Sequence, residues 1–269
     1  MTLDEFAQKQ DEELEEEIPY ILKKKIICPI CDSQFAGLTV KTGKVRRIGT
    51  DIDLRPLNSP LDSLKYGVYR CPKCGYSAMT RSFDKLTGVH RKFIKEQVCS
   101  HYVKRGSGDD DMLSYDEAID IHKLALVCTM AKRGRDSEAG YLCLLLSWLY
   151  KGKALMIEKY AEESGSEPDK ELQSMIDDSY SESNKFAEKA RDTLIQAEAK
   201  ETPPFCGLDI PTLEYIIAAL AYETQKTDLA MKVCSQVMTN NASSAQLKDR
   251  CYDLKELIKE AKAKEEAAQ

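Results

Sequence analysis

Two short stretches, Cys28-Pro-Ile-Cys31 and Cys71-Pro-Lys-Cys74-Gly75, constrain this 269-residue chain more than any other feature in it. Two residues between cysteines let both sulfurs turn onto one ion. Proline after the first cysteine sets φ, and the position after the second favours a left-handed φ, which Gly75 supplies without strain. Backbone N–H groups in such a turn point at the sulfurs and stabilise thiolates. Two knuckles supply four sulfurs, a closed tetrahedral shell that zinc accepts at about 2.3 Å. One structural zinc per chain, held by Cys28, Cys31, Cys71 and Cys74, is the expected cofactor. Iron in a rubredoxin-like site is the alternative, since both metals accept four thiolates; a redox dithiol and free thiols are the other readings. The 39 residues between Cys31 and Cys71 exceed the usual ribbon spacing of about 15–20, so an insertion is expected there.

The compartment bears on how ten cysteines are read. The first residues, MTLDEFAQKQDEELEEE, are acidic and polar, unlike the positive start and apolar stretch of a secretory signal. No apolar run approaches the roughly 18 residues of a membrane span. A cytoplasmic protein is expected, and in a reducing compartment paired cysteines bind metal or do redox chemistry more often than they form structural disulfides. Cys128, Cys143, Cys234 and Cys251 fall on apolar helical faces, where a thiol serves as a small core residue. Cys206 sits in a loop. Cys99 and His101, with His90, are three potential ligands at no recognised spacing, and packing or solvated roles outweigh a second metal site. His122 reads as a core or helix-surface residue.

Charge is unevenly spread. Residues 1–20 carry a net −7, residues 21–106 a net +12 and residues 107–269 a net −11. The reading is a flexible acidic segment over 1–20, a basic zinc-binding head over 21–106, a Gly/Ser/Asp linker over 107–113 and a helical domain over 114–266. Within the head, Leu38–Thr42 and Lys44–Ile48 alternate apolar and polar residues around Thr42-Gly43 and predict a hairpin. Tyr66–Arg70 predicts a strand, Phe83–Val103 a helical stretch, and Arg55–Pro60, with two prolines, a loop. From Ser114 onward the i, i+3, i+4, i+7 rule predicts six amphipathic helices. Ala118, Ile121, Ala125 and Cys128 mark the first; Leu142, Leu146 and Leu149 the second; Leu172 to Ala197 the long third. Ile216 to Ala221, Ala230 to Val237 and Leu247 to Ala261 mark the rest. Thr227 and Ser244 are candidate N-caps, and Pro211 suits a first turn. Short turns and alanine-rich faces suit stacked antiparallel hairpins of tetratricopeptide type, although the full consensus of that repeat is absent. The fold class is α+β: a small zinc-ribbon or rubredoxin-like β-rich head, then an all-α helical-hairpin domain.

The stretch CPICDSQF, the basic run with Lys44, Arg46 and Arg47, Asp51-Ile-Asp53, Pro60, and Tyr69-Arg-Cys71-Pro-Lys-Cys74-Gly-Tyr76-Ser-Ala together resemble a bacterial domain-of-unknown-function family, number 2225. So do Ala118–Ala125, Leu144–Tyr150 with Trp148, Thr212–Ile216 with Tyr215, and Ala230-Met-Lys. The likeness covers about residues 25–260, and the knuckles are its most specific part. It implies a zinc-ribbon-like head on tetratricopeptide-like helices in a bacterial cytosolic protein, and no known activity. The chain departs from the pattern in having Asp32 where a glycine is common after the first knuckle.

Neither a phosphate-cradling GxxxxGK[ST], nor GxGxxG, nor HExxH occurs. The expectation is therefore a non-enzymatic adaptor that meets a protein partner through its helices, with thiol redox activity as the remote enzymatic reading and no small-molecule substrate. The alternative is nucleic-acid binding by the head. Lys41, Lys44, Arg46 and Arg47, extended by Arg81, Arg91, Lys92 and Lys95, would contact phosphates, while Tyr66, Tyr69 or Tyr76 would stack on bases. Against that stands the simpler reading that these cations complement the acidic segments, the leading one included.

Overall fold

The first helix, α1 (Leu3–Glu17), starts on a capping box in which the Thr2 hydroxyl accepts from the Glu5 N–H and the Glu5 carboxylate accepts from the Thr2 N–H. The structure, a computed structural model, describes residues 1–104 and 111–267. Phe6 and Met1 are buried against Ile157, Tyr160, Leu172 and Ile176. Glu17, at the other end, is buried in an ion pair with Lys65 at 2.6 Å and accepts a 2.8 Å hydrogen bond from Tyr66. The charge run predicts a flexible leading segment; instead an apolar stripe docks it. The charges themselves turn outward, with Asp11, Glu12, Glu15 and Glu16 exposed, so mutual repulsion is screened by solvent.

Three antiparallel strand pairs make the head. β1 (Ile21–Ile27) pairs with β2 (Gln34–Val40), β3 (Arg46–Thr50) with β4 (Pro56–Ser59), and β5 (Val68–Arg70) with β6 (Ser77–Met79). The expected hairpin across Thr42-Gly43 therefore does not form. The turn is there, closed by the Lys44 N–H on the Lys41 carbonyl, but β2 takes β1 as its partner and β3 takes β4. The proline-containing stretch read as a loop supplies β4, which pairs on one side only, as proline permits. Gly37 of β2 lies under the Tyr69 ring, where a Cβ would stand 2.7 Å from Ile26 and 2.9 Å from Tyr69. α2 (Gly88–Gln97), N-capped by Thr87, and a single 3₁₀ turn at Cys99–His101 complete the head, shorter than the helical stretch anticipated.

Six helices follow among the described residues: α3 (Tyr115–Ala131), α4 (Asp136–Ser164), α5 (Lys170–Lys200), α6 (Ile210–Glu223), α7 (Thr227–Thr239) and α8 (Ala245–Ala267). Their number and order match the periodicity. Ser114 forms a capping box with Glu117, and Asp169 and Asp209 cap α5 and α6. A hydroxyl caps α8 as well, where Ser244 accepts from the Leu247 N–H. Thr227 is the first residue of α7 and not its cap. Consecutive helices pack on one another. α4 and α5 run antiparallel, since Gly140 lies against Leu194, Ser147 meets Ser183 and Glu158 accepts from Tyr180.

Most of the expected linker, residues 107–110, lies outside the described residues. Its end does not: Leu113 is buried, and its N–H donates to the Tyr66 hydroxyl. No break in the core falls at this point. Leu61, Tyr66, Val68 and Met79 of the head share one apolar cluster with Ile119, Leu142, Trp148 and Leu213 of the helices. α3 is the common element, packing against β5 and β6 on one side and α4 on the other.

Candidate metal centre

Each knuckle is the turn of one strand pair: Cys28–Ser33 joins β1 to β2, and Cys71–Tyr76 joins β5 to β6. The two turns repeat the same backbone bonds. The Asp32 N–H donates to the Cys28 carbonyl at 3.0 Å and the Cys28 N–H to the Ser33 carbonyl at 2.9 Å. In the second turn Gly75 donates to Cys71 at 2.9 Å and Cys71 to Tyr76 at 2.8 Å. Both turns close on a left-handed residue, Asp32 with φ 57° and Gly75 with φ 76°. The departure at Asp32 thus leaves the geometry unchanged, aspartate being among the side chains that tolerate this region. At Gly75 the requirement is stricter, because the Tyr102 ring occupies the space a Cβ would fill.

The four sulfurs converge. Cys28 Sγ and Cys74 Sγ are 3.6 Å apart, Cys31 Sγ and Cys71 Sγ are 3.6 Å apart, and all four lie within 4.8 Å of one another. A tetrahedron with metal–sulfur bonds of about 2.3 Å has edges of about 3.8 Å, so the cluster has the size of a four-thiolate shell. Cys28 and Cys71 are fully buried, while Cys31 and Cys74 are partly open. The Ile30 N–H points at Cys28 Sγ from 3.4 Å, and the Ser33 hydroxyl lies 3.0 Å from Cys31 Sγ and 3.3 Å from Cys71 Sγ. These are the donors that hold thiolates in place around an ion. As bare thiols Cys28, Cys71 and Cys74 compete for charge. Hydrogen bonding from Cys28 holds the Cys71 thiol well below its ordinary range, while the same neighbourhood pushes Cys28 up to about 12 and Cys74 upward. A bound dication removes that conflict, because it favours the thiolate at every position.

An aromatic floor supports the site. Phe83 packs against Phe35, Tyr69 and Tyr76 at centroid distances of 5.9, 5.7 and 4.8 Å, in one cluster with Cys28, Ile30, Cys71 and Ile94. Cys128 and Ala131 of α3 close it from beneath, and Cys128 Sγ accepts from the Ser77 N–H. Tyr66, Tyr69 and Tyr76 are all buried, each with its hydroxyl bonded: to Glu17, Thr39 and the Phe83 carbonyl respectively. They cannot stack on bases, which corrects that expectation.

A family model described as an uncharacterized protein conserved in bacteria (DUF2225) matches residues 21–258. The chain belongs to this family. The match runs from β1 into α8, so membership covers the head and the helices as one unit. No curated protein and no solved structure matches the chain.

Several stretches that carry the family likeness meet at the β3–β4 loop, outside the metal centre. The fully buried Asp53 carboxylate accepts from Trp148 Nε1 at 2.6 Å and from the Arg55 N–H at 3.0 Å. Arg55 donates to the Trp148 carbonyl and pairs with Asp51 and Asp62. Tyr215 donates to the Ile52 carbonyl at 2.8 Å, and Arg250 to the Thr50 hydroxyl at 2.5 Å. Asp51-Ile-Asp53 is thus the plug by which the head is keyed into α4, α6 and α8. Trp148 and Tyr215 are buried under it.

The remaining candidates scatter. Lys44, Arg46, Arg47, Arg91 and Lys92 are exposed, the first three on the β2–β3 connection and β3, the last two on α2. Lys41 donates to the Pro19 carbonyl, and Arg81 lies over the Tyr141 ring. Among the described residues, head cations reach the acidic segments in two ion pairs, Lys65–Glu17 and Lys23–Asp111. Complementing acidic neighbours therefore occupies few of them. Cys99, His101 and His90 are not brought together as ligands: His101 is exposed beside Ser100, and among the described residues the one metal-sized donor group is the four-cysteine cluster. Cys143, Cys234 and Cys251 are core residues, and Cys206 is half-buried, donating to the Ser137 carbonyl. His122 is fully buried, its Nδ1 2.7 Å from the Ala118 carbonyl. No described helix is long and apolar enough to cross a membrane.

Proposed function

We propose that the protein is a non-enzymatic adaptor of the cytoplasm, its head organised by one structural zinc ion and its helices carrying a protein partner. The carrying observation is a four-sulfur cluster that would leave a tetrahedral ion no vacant position, set beside a helical face that the described residues leave uncovered. Four protein ligands complete a tetrahedral zinc, so the ion offers no site for substrate or water and contributes to folding. Next to it, α3 turns Val127 (49% exposed) and Met130 (68% exposed) to solvent. Val103 is exposed too, along a cleft of about 420 Å³ shared by Val98, Tyr102 and Leu124. Adjoining exposed apolar side chains are a feature of protein-binding surfaces. The inner face at Trp148 and Tyr215 is filled by the chain's own β3–β4 loop, which leaves the outer face of α3 as the favoured contact. Stacked helical hairpins of tetratricopeptide type suit this role. The test is a tagged purification of the full chain under reducing conditions, with metal analysis and identification of what co-purifies. One zinc per chain is expected, together with a protein partner that V127D/M130D no longer retains although it keeps zinc and melting temperature. Retention by that variant, or turnover of a substrate by the purified chain, would reject the adaptor reading.

A second reading rests on the exposed cations of the head. With the three tyrosines buried, it reduces to contacts with a nucleic-acid backbone, which are independent of sequence and steeply salt-dependent. K44E/R46E in the full chain should then weaken binding to a DNA or RNA duplex and flatten its salt dependence. Equal binding by the variant and the parent removes this alternative.

A further inference from the structure

The uncovered face of α3 has a shape and a charge that limit what can lie on it. The turn carrying Val98 and Tyr102 stands beside α3 and leaves the open cleft between them, with Leu124 and Val127 on the α3 side. Exposed Met130 continues the stripe one turn further along. Leu124, Val127 and Met130 fall at i, i+3 and i+6, within about a third of the helix circumference. From Asp120 to Met130 the helix rises about 15 Å, three turns. The apolar floor therefore has the length and period of a short helix lying alongside.

An extended segment has nothing to pair with here. α3 is bonded internally, and the turn uses its own donors. The Val98 N–H donates to the Ile94 carbonyl at 3.0 Å, the His101 N–H to the Val98 carbonyl at 3.1 Å, and the Tyr102 N–H to the Cys99 carbonyl. β5 reaches the cleft only through Arg70, its last residue. Addition of a strand needs a row of free backbone groups, whereas a helix docks through its side chains.

The rim is cationic. Arg70, His101 and Lys123 line the cleft. Lys123 lies over the Tyr150 ring at 5.2 Å, and Arg133, just beyond Met130, lies over the Phe93 ring at 5.3 Å. Among the described residues none of Arg70, Lys123 and Arg133 forms an ion pair, so their charges are not neutralised by the fold. Asp120 is the one acid among the described lining residues, and it already has an interaction of its own. Tyr102 adds a buried hydroxyl with no hydrogen-bond partner. Cations and a spare hydroxyl around an apolar floor favour carboxylates that flank an apolar stripe.

Given the docking face proposed above, on which this inference rests, we propose that the cleft takes an acidic amphipathic helix of a protein partner. Its apolar stripe lies against Leu124, Val127 and Met130, and its flanking carboxylates meet Arg70, Lys123 and Arg133. Such a helix is about three turns long, with apolar anchors at i, i+3 or i+4 and i+7. A nucleic-acid backbone would meet the cations but gain nothing from the apolar floor.

The experiment selects a display library of random peptides, each about 16 residues long, on the full zinc-loaded chain at physiological salt. Enriched peptides should carry that apolar spacing and a net negative charge. Made synthetically and labelled, they should bind V127D/M130D at least about tenfold more weakly than the parent, and R70E/K123E about tenfold more weakly. Zinc content and melting temperature are compared across the parent and both variants. Where R70E/K123E melts lower, K123E alone reads the same loss, at about threefold. Enriched peptides that are neutral or basic, or that bind R70E/K123E as well as the parent while losing V127D/M130D, overturn the acidic helix and leave the docking face standing. Peptides indifferent to V127D/M130D, or no enrichment at all, overturn the docking face and the acidic helix together. Sedimentation of the parent alone tests a second copy of the chain as occupant. A concentration-dependent dimer that V127D/M130D abolishes assigns the face to that copy and overturns the proposal.

Discussion

Within the helical body, α4 buries every residue from Leu142 to Tyr150, and α3 and α5 pack against it. The head has nothing comparable: three separate strand pairs of three to seven residues per strand, with β1 exposing Leu22 through Lys25. A two-stranded pair is marginal in water by itself. The helices are stabilised by packing that the chain supplies in abundance. The head rests on the four-cysteine cluster, the aromatic floor around Phe83 and the β3–β4 plug. The two regions share α3, so the difference lies in what each can lose before it unravels.

Removing the metal should separate them most. In C71S, or after chelation, the shell loses a buried donor, and structural zinc sites contribute on the order of 10 kcal/mol at neutral pH. Hydrogen exchange should then accelerate across residues 21–104 while α4 to α8 keep their protection. Equal loss along α4 to α8 would mean that the helices depend on the head as much as the reverse.

The seam itself is tested by pH. Burial pushes the His122 imidazole down to about 4, against about 6.5 for an unfolded histidine. Between those values the unfolded chain binds a proton that the fold excludes. Stability is therefore complete above about pH 6.5 and declines as pH falls toward 4, by about 3 kcal/mol in all. His122→Leu should flatten this part of the denaturation profile measured in urea. A slope unchanged by the substitution would assign the acid sensitivity to another group.

The smallest contrast lies within the head, between the two knuckles. Gly75→Ala meets both a positive φ and the Tyr102 ring and should cost about 2 kcal/mol or more. Asp32→Gly, at the matching position where a side chain is already accommodated, should change stability by less than about 1 kcal/mol. Thermal melts of the two zinc-loaded variants check the ranking; equal losses would show that the Tyr102 contact is not what restricts the second turn.

What is legible in the sequence follows the range of the interactions. The knuckles can be read because their turn geometry is local, and the six helices because a 3.6-residue period declares itself within one element. The hairpin cannot, because Leu38–Thr42 alternates in the same way whichever strand lies beside it, and the choice of β1 is made by residues far from the turn. Tyr66, Tyr69 and Tyr76 look like ligand-facing rings among lysines, but their burial is set by Glu17, Thr39 and Phe83. The docking of α1 turns on Met1 and Phe6, apolar residues beside a run dominated by charge. Asp53 carries a signal in the likeness of Asp51-Ile-Asp53 to the family, but not its meaning, because its partner Trp148 lies 95 residues away.

The plug has a consequence for the order in which the molecule is made. All four knuckle cysteines have been translated by residue 74, but Thr50 waits for Arg250, 200 residues downstream, and Ile52 for Tyr215. At synthesis rates of about 5–20 residues per second, that interval lasts about 10–35 s. During it the four knuckle cysteines are already available to a metal while the β3–β4 loop still has no seat. A metal bound by the four cysteines would hold the nascent head together until the last helix arrives to receive it.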